Sequence, residues 1–106
     1  MTKNITNVQD FLKFIIKTDE IQGRAVLKTV TEEQTKAICE IFYNTQYLEL
    51  DKKQRKIINQ NQLLIKKLVQ TNLKLSTKGK IISRRSIAVH KIIHSLKNII
   101  LAVIKQ

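Results

Sequence analysis

Apolar residues recur at steps of three and four in several stretches of the chain, and this spacing is the strongest constraint on its fold. In the last stretch the steps run through Val89, Ile92, Leu96, Ile99 and Val103. Such a stripe forms one face of an α-helix. The chain also has no proline and only two glycines, so it offers little of the turn chemistry that an all-β fold requires. The sequence therefore predicts an all-α protein.

The length and the capping signals predict one compact helical domain. A chain of 106 residues, 42% of them hydrophobic, can bury a modest core. Thr31 with Gln34 and Asp51 with Gln54 have the form of capping boxes, so a helix should begin after each. We expect a single domain, 1–106, that is a bundle of four to six short helices with a break at 76–79. The expected helices are 8–17, 20–29, 32–46, 52–72 and a region from residue 80, in one piece or in two divided near Ser86.

The charge is distributed unevenly along the chain. Residues 1–50 hold six lysines and arginines against seven acidic residues, a net charge of −1, whereas residues 51–106 hold fourteen against the single Asp51, a net charge of +13. This asymmetry indicates a polyanionic partner, either nucleic acid or an anionic membrane surface. A lysine-decorated soluble surface is the alternative, and an A+T-rich coding sequence would also favour lysine.

The segment 52–72 carries much of this charge on one side. On a helical wheel its apolar residues form one face, with Leu63 and Asn61 each on the wrong side. The opposite face holds Lys52, Arg55, Lys56, Lys66 and Lys67. Cations at both ends of an exposed face suit a phosphate backbone better than a small anion. We therefore predict nucleic-acid binding through Lys52, Lys53, Arg55, Lys56, Lys66, Lys67, Lys78, Lys80, Arg84, Arg85 and Lys91.

The residue types also indicate how the nucleic acid would be bound. Lysines outnumber arginines by sixteen to four, and an ammonium group lacks the bidentate fork that reads guanine edges. Few aromatic residues stand near the cations, so base stacking on single strands is not favoured. The sequence predicts binding to duplex DNA with little sequence preference.

Three alternatives compete with this hypothesis. The run Lys52–Lys56 has the form of a nuclear-import signal, although such signals are bound in an extended conformation and a helix is expected here. The stripe of Val89, Ile92, Leu96, Ile99 and Val103 would pair with a partner helix or with a second copy, giving a protein-interaction module or a homo-oligomer. The same tail would associate with a membrane surface only if the bundle did not bury it, so a membrane partner is not expected.

No catalytic or metal-binding arrangement is predicted. His90 and His94 have the spacing of two metal ligands on a helix, but no third ligand is evident, and a pair of histidines on the polar face is the preferred interpretation. Cys39 is expected to be a small core residue. The chain has neither a glycine-rich phosphate loop nor a nucleophile elbow. We expect a non-enzyme without cofactor or metal.

Four segments of the chain form a recognisable pattern: AVLKTVTEEQ at 25–34, AICEIFYN at 37–44, the lysine-rich block from Lys52 and LSTKGKIISRR at 75–85. In this pattern the chain resembles a family of short basic proteins encoded by polinton-like and adintovirus-like double-stranded DNA viruses. Members often end in a Gly-Gly-Phe and leucine-rich tail, which this chain lacks. The resemblance implies a small viral protein bound to the genome, located in the virion or the host nucleus, and no site residue is carried over from it.

Overall fold

The computed structural model describes the backbone of residues 2–104 and the side chains of residues 8–103, and it confirms the all-α prediction. Within these residues the chain forms eight α-helices, more than the four to six expected, and one short 3-10 turn, Thr45–Tyr47. The helices are α1 (Thr2–Lys17), α2 (Glu20–Leu27), α3 (Glu32–Asn44), α4 (Lys52–Gln60), α5 (Gln62–Val69), α6 (Leu75–Arg84), α7 (Ser86–Ser95) and α8 (Lys97–Ile104).

Capping side chains determine where three of the helices begin. The carboxylate of Asp19 accepts a hydrogen bond from the Gln22 amide at 2.9 Å and starts α2. Both predicted capping boxes are confirmed, because Thr31 and Asp51 each cap a helix whose third residue is a glutamine that bonds back to the cap. Each cap satisfies backbone amides that have no partner within the helix.

Three bends account for the higher helix count. At Asn61, Arg85 and Leu96 the backbone leaves helical geometry, with φ and ψ of −116° and 23°, −108° and 34°, and −98° and 11°. Of the two alternatives left open for the region from residue 80, the structure shows the division near Ser86. The bend between α7 and α8 measures 68°. Bending lets the apolar faces of successive short helices turn toward one core, which a straight helix of the same length could not do.

The bend at Asn61 overturns the prediction of one continuous helix over 52–72. In a continuous helix Asn61 would have lain on the apolar face. Instead, its side-chain amide donates to the carbonyl of Ile57 at 2.8 Å, so its polar group is satisfied at the bend. Leu63 remains 82% exposed. The cationic segment is thus two short helices in different directions, and its basic face is not one straight line.

The break predicted at 76–79 is also wrong, because α6 begins at Leu75 and the break lies at 70–74. Ser76 and Thr77 stand in the first turn of α6, where short polar residues are tolerated. Gly79 lies inside the helix and packs against α3, where an added Cβ would meet the Thr35 hydroxyl at 3.4 Å. This glycine marks a close helix contact and not a turn.

The hydrophobic core contains residues from all the described helices. Its fully buried side chains include Ile15 of α1, Leu27 of α2, Ile38 of α3, Leu68 of α5 and Ile92 of α7. Cys39 is buried in the same cluster, as expected. Because α2 packs on α7 and α3 packs on α5 and α6, the near-neutral and basic halves of the sequence share one core.

Candidate nucleic-acid interface

A concavity of about 590 Å³ lies where α2, α6 and α7 meet the bend between α4 and α5. Five cations line it, and within the side chains described, from 8 to 103, no aspartate or glutamate does. Positive charge that lines a concave surface focuses the field and attracts anions. We call this site the cationic concavity; its cations are Arg24, Lys28, Arg84, Arg85 and Lys91.

Arg24 is positioned by the close packing of α2 on α7. The preceding residue, Gly23, is buried, and a Cβ added to it would overlap the imidazole ring of His90. Only glycine lets the two helices approach this closely with His90 between them. Arg24 is consequently half-buried at the helix crossing, and its Nε is a buried donor with no hydrogen-bond partner among the described residues.

The bend between α6 and α7 supplies the next part of the site. Arg84 is the last residue of α6, and Arg85 stands at the bend itself. The first turn of α7, residues 86–88, lines the concavity, and no side chain caps this helix. The amino end of a helix carries a partial positive charge, so the backbone adds to the field of the side chains.

A smaller hollow of about 320 Å³ adjoins the cationic concavity. The two share Lys28, Ser83 and Arg84, and the smaller one adds Lys80. Glu32 lines this second hollow and introduces the first acidic side chain. The cationic lining therefore extends from the first turns of α7 along α6, and it meets a carboxylate at the start of α3.

The structure separates the predicted cations into groups. Arg84, Arg85 and Lys91 line the cationic concavity and Lys80 the adjoining hollow, whereas Lys78 is half-buried and lies near Cys39. The remaining six are exposed on α4 and α5 and do not line the concavity. We call these six the outer basic face; they are Lys52, Lys53, Arg55, Lys56, Lys66 and Lys67.

Sequence reasoning missed two cations of the concavity, Arg24 and Lys28. Both belong to the near-neutral half of the chain, whose net charge of −1 gives no sign of an anion-binding surface. Arg24 lies in α2 and Lys28 caps its carboxyl end, so their spacing of four places them on one face, and the buried Gly23 stands directly before Arg24. A glycine inside a helix next to a pair of cations at this spacing is the signal that could have revealed them.

The two histidines do not share the expected polar face. His90 is only 6% exposed, its Nε2 has no partner among the described residues, and its ring lies against Gly23. His94 is half-buried, with its ring centroid 5.8 Å from that of His90. Desolvation, assisted by Lys97 and by His90, lowers the pKa of His94 below its usual value of 6.5. Between residues 8 and 103, no group of three potential metal ligands occurs.

A second surface is apolar and lies between α1, α3 and α8. This groove of about 670 Å³ has Leu12 and Ile41 among its lining residues, and Glu33 and Glu40 also line it. We call it the apolar groove. Of the five predicted interface residues, Val89, Ile92 and Leu96 are fully buried in the core of the single chain, Ile99 is half-buried, and Val103 is 67% exposed. Interface contacts are therefore expected mainly from Ile99 and Val103, which line the apolar groove.

Comparison of the chain with protein-family models, with curated proteins and with solved structures found no match. Within residues 2–104 no single helix is long and apolar enough to cross a membrane. The pair α7 and α8 would satisfy the length and composition of a span together, but the two helices are bent by 68°.

Proposed function

We propose that the chain is a small basic DNA-binding protein of a DNA virus or virus-like element that contacts the phosphate backbone with little sequence preference. The observation that carries the proposal is the cationic concavity, which five cations line and which, in the described part of the chain, no carboxylate lines. Glu32 lines the adjoining hollow and lies outside the concavity itself. Phosphate contacts provide most of the affinity of sequence-independent DNA binding. The net charge of +12 would speed the encounter with any polyanion.

The geometry supports different roles in DNA binding for the cationic concavity and the outer basic face. The cationic concavity would hold the backbone, and Gln60, which also lines it, would donate hydrogen bonds to phosphate oxygens. Lys56 lies one helical turn before Gln60 on α4, so the outer basic face would extend the contact along the duplex. A location in the virion or the host nucleus, as the family resemblance implies, is part of the same proposal.

The test is a titration of two short DNA duplexes of unrelated sequence at several salt concentrations, followed by fluorescence anisotropy. We expect similar affinities for the two sequences. The logarithm of the affinity should fall with the logarithm of the salt concentration by about 0.9 for each phosphate contact, so five contacts would give a slope of about −4.5. Absence of binding at low salt, or binding that salt does not weaken, would contradict the proposal.

A second function is favoured by the apolar groove. Its apolar side chains include Ile99 and Val103, and an exposed apolar surface often marks a protein-interaction site. In that case the chain would pair with itself or with a helix of another protein and would not need nucleic acid. Sedimentation of the protein over a range of concentrations tests for self-association. A dimer that dissociates in the double variant Ile99→Glu, Val103→Glu would support it, and a monomer at all concentrations would exclude self-pairing.

A further inference from the structure

Arg24 is the most unusual charged residue in the described structure. Its side chain is half-buried, and its Nε has no hydrogen-bond partner. Buried polar groups in proteins are nearly always hydrogen-bonded, and leaving one unpaired costs free energy. Guanidinium groups have donors only, so any partner of Arg24 must be an acceptor. The Nε itself is shielded from solvent, so an oxyanion in the cationic concavity would accept hydrogen bonds from the terminal nitrogens of the same guanidinium.

The surroundings of Arg24 determine which oxyanion fits. Five cations line the concavity, and the uncapped first turn of α7 adds a partial positive charge. A single phosphate group carries about −1.5 to −2 at neutral pH. One such group would leave most of the positive charge uncompensated. A ligand that presents several phosphate groups close together would match it far better.

The volume of the concavity agrees with this charge balance. At about 590 Å³, it has the volume of roughly twenty water molecules. That is more space than one phosphate group fills, and the cations stand on different helices around it. Arg24 and Lys28 project from α2, while Arg84 and Arg85 come from the bend between α6 and α7. Cations on two walls can hold two or more phosphate groups of one molecule between them.

We propose that the cationic concavity is a discrete polyphosphate-binding site centred on Arg24. Its ligands are compounds with two or more adjacent phosphate groups, such as the phosphate chain of a nucleotide or inorganic polyphosphate. The site shares its residues with the proposed function but goes beyond it, because a compact polyphosphate would bind without a duplex. Guanidinium groups hold phosphate oxygens in bidentate fashion, so Arg24 and the Arg84–Arg85 pair supply specificity as well as charge.

The probe is inorganic tripolyphosphate, titrated into the full chain at low salt and followed by calorimetry, with orthophosphate as the comparison ligand. We expect tripolyphosphate to bind at least about tenfold more tightly than orthophosphate, because only the longer anion can contact both walls. Equal affinities for the two anions, or no binding of tripolyphosphate, would overturn the proposal.

Matched variants identify the residues. Arg24→Ala removes the central guanidinium and should weaken tripolyphosphate binding by about tenfold or more. Lys66→Ala removes one cation from the outer basic face and should leave the affinity within about twofold. If Arg24→Ala is poorly folded by circular dichroism, the exposed pair Arg85→Ala, Lys91→Ala takes its place with the same expectation. Equal losses in the Lys66 and concavity variants would overturn the site.

Duplex binding measured on the same samples separates this proposal from the proposed function. Tripolyphosphate binding without duplex binding would support the site and contradict the DNA-binding function. Duplex binding without tripolyphosphate binding would leave the function standing and overturn the discrete site. Displacement of a bound duplex by tripolyphosphate would show that both use the cationic concavity.

Discussion

The cationic concavity and the outer basic face carry comparable positive charge but present it in different ways. The five cations of the concavity come from three helices and converge on one hollow, whereas the six cations of the outer basic face lie exposed along α4 and α5. Exposed lysines are fully hydrated and lose side-chain freedom when they bind a ligand, so each contributes little to the free energy of binding. Four of the five concavity cations are exposed as well, but cations that converge on one hollow reinforce one another's field, and the half-buried Arg24 is partly ordered before the ligand arrives.

This difference shows why a dense basic run in a sequence is an incomplete guide to a binding site. The run Lys52–Lys56 is the most conspicuous basic cluster in the chain, yet none of its residues lines the concavity. Arg24 stands in a half with a net charge of −1 and yet lines the concavity. The density of charge along the chain can be read from the sequence, whereas the convergence of cations on one site depends on the fold.

The largest expected effect comes from reversing equal charge in the two regions. One variant combines Arg24→Glu, Arg84→Glu and Arg85→Glu, and the other combines Lys53→Glu, Lys56→Glu and Lys67→Glu. Both change the net charge equally, so any difference reports position. Loss of charge-assisted hydrogen bonds of about 1.5–3 kcal/mol each should weaken duplex binding by about 100-fold or more in the concavity variant, and by less in the other. Fluorescence anisotropy measures the affinities.

Circular dichroism must show that both triple variants retain helix content. Because Arg24 is half-buried, the double variant Arg84→Glu, Arg85→Glu serves as a second comparison that changes only exposed residues. If the two triple variants lose affinity equally, the concavity has no special role, and total charge alone explains binding.

The next effect concerns the packing that builds the concavity. Gly23→Ala places a methyl group into the ring of His90 and should force α2 away from α7. Overpacking of this kind costs about 1–3 kcal/mol in the free energy of unfolding. Urea denaturation measures the loss, and anion binding should weaken as well because Arg24 moves with α2.

Gly79→Ala is the matched control. Its added Cβ would lie 3.4 Å from the Thr35 hydroxyl, a contact that α3 can accommodate, and alanine is the better helix former by about 1 kcal/mol. We expect unchanged or raised stability and unchanged anion binding. A Gly23→Ala variant as stable as Gly79→Ala would show that the crossing of α2 and α7 is looser than described.

The smallest expected effect is a pH dependence of stability that arises from His94, which does not line the concavity. The pKa of His94 is lowered in the folded state by burial and by the nearby Lys97 and His90. As the pH falls below about 6.5, His94 therefore takes up a proton in the unfolded chain before it does so in the folded one. The free energy of unfolding should decrease between that pH and the lowered pKa of the folded state. Urea midpoints between about pH 7.5 and pH 5 should change less in His94→Gln than in the natural chain. If the urea midpoints of His94→Gln and of the natural chain change equally with pH, this assignment to His94 is contradicted.

The local features of the fold follow from the sequence because they depend on neighbouring residues. Both capping boxes and the burial of Cys39 were predictable, since each depends on local spacing or on residue type. The misfits on the helical wheel were visible as well, but not their consequence. A bend at Asn61 satisfies the polar misfit but leaves Leu63 82% exposed, and only the competition of several helices for one core decides where such a bend falls.

The candidate site was predictable only in part for the same reason. Arg84, Arg85 and Lys91 lie close together in the chain, so the basic half pointed to them. Arg24 and Lys28 join them through the crossing of α2 and α7, which depends on Gly23 meeting His90 across more than sixty residues of sequence. The glycine beside this pair of cations is visible in the sequence, but no local pattern specifies that it meets His90.

The most direct test of the account is a map of the residues whose backbone amide resonances change when a short duplex is added to the isotope-labelled protein at low salt. The account predicts that the largest changes fall on Arg24, Lys28, Lys91 and residues 83–88, with smaller changes on α4 and α5. Changes concentrated on the outer basic face, or on the apolar groove between α1, α3 and α8, would contradict it.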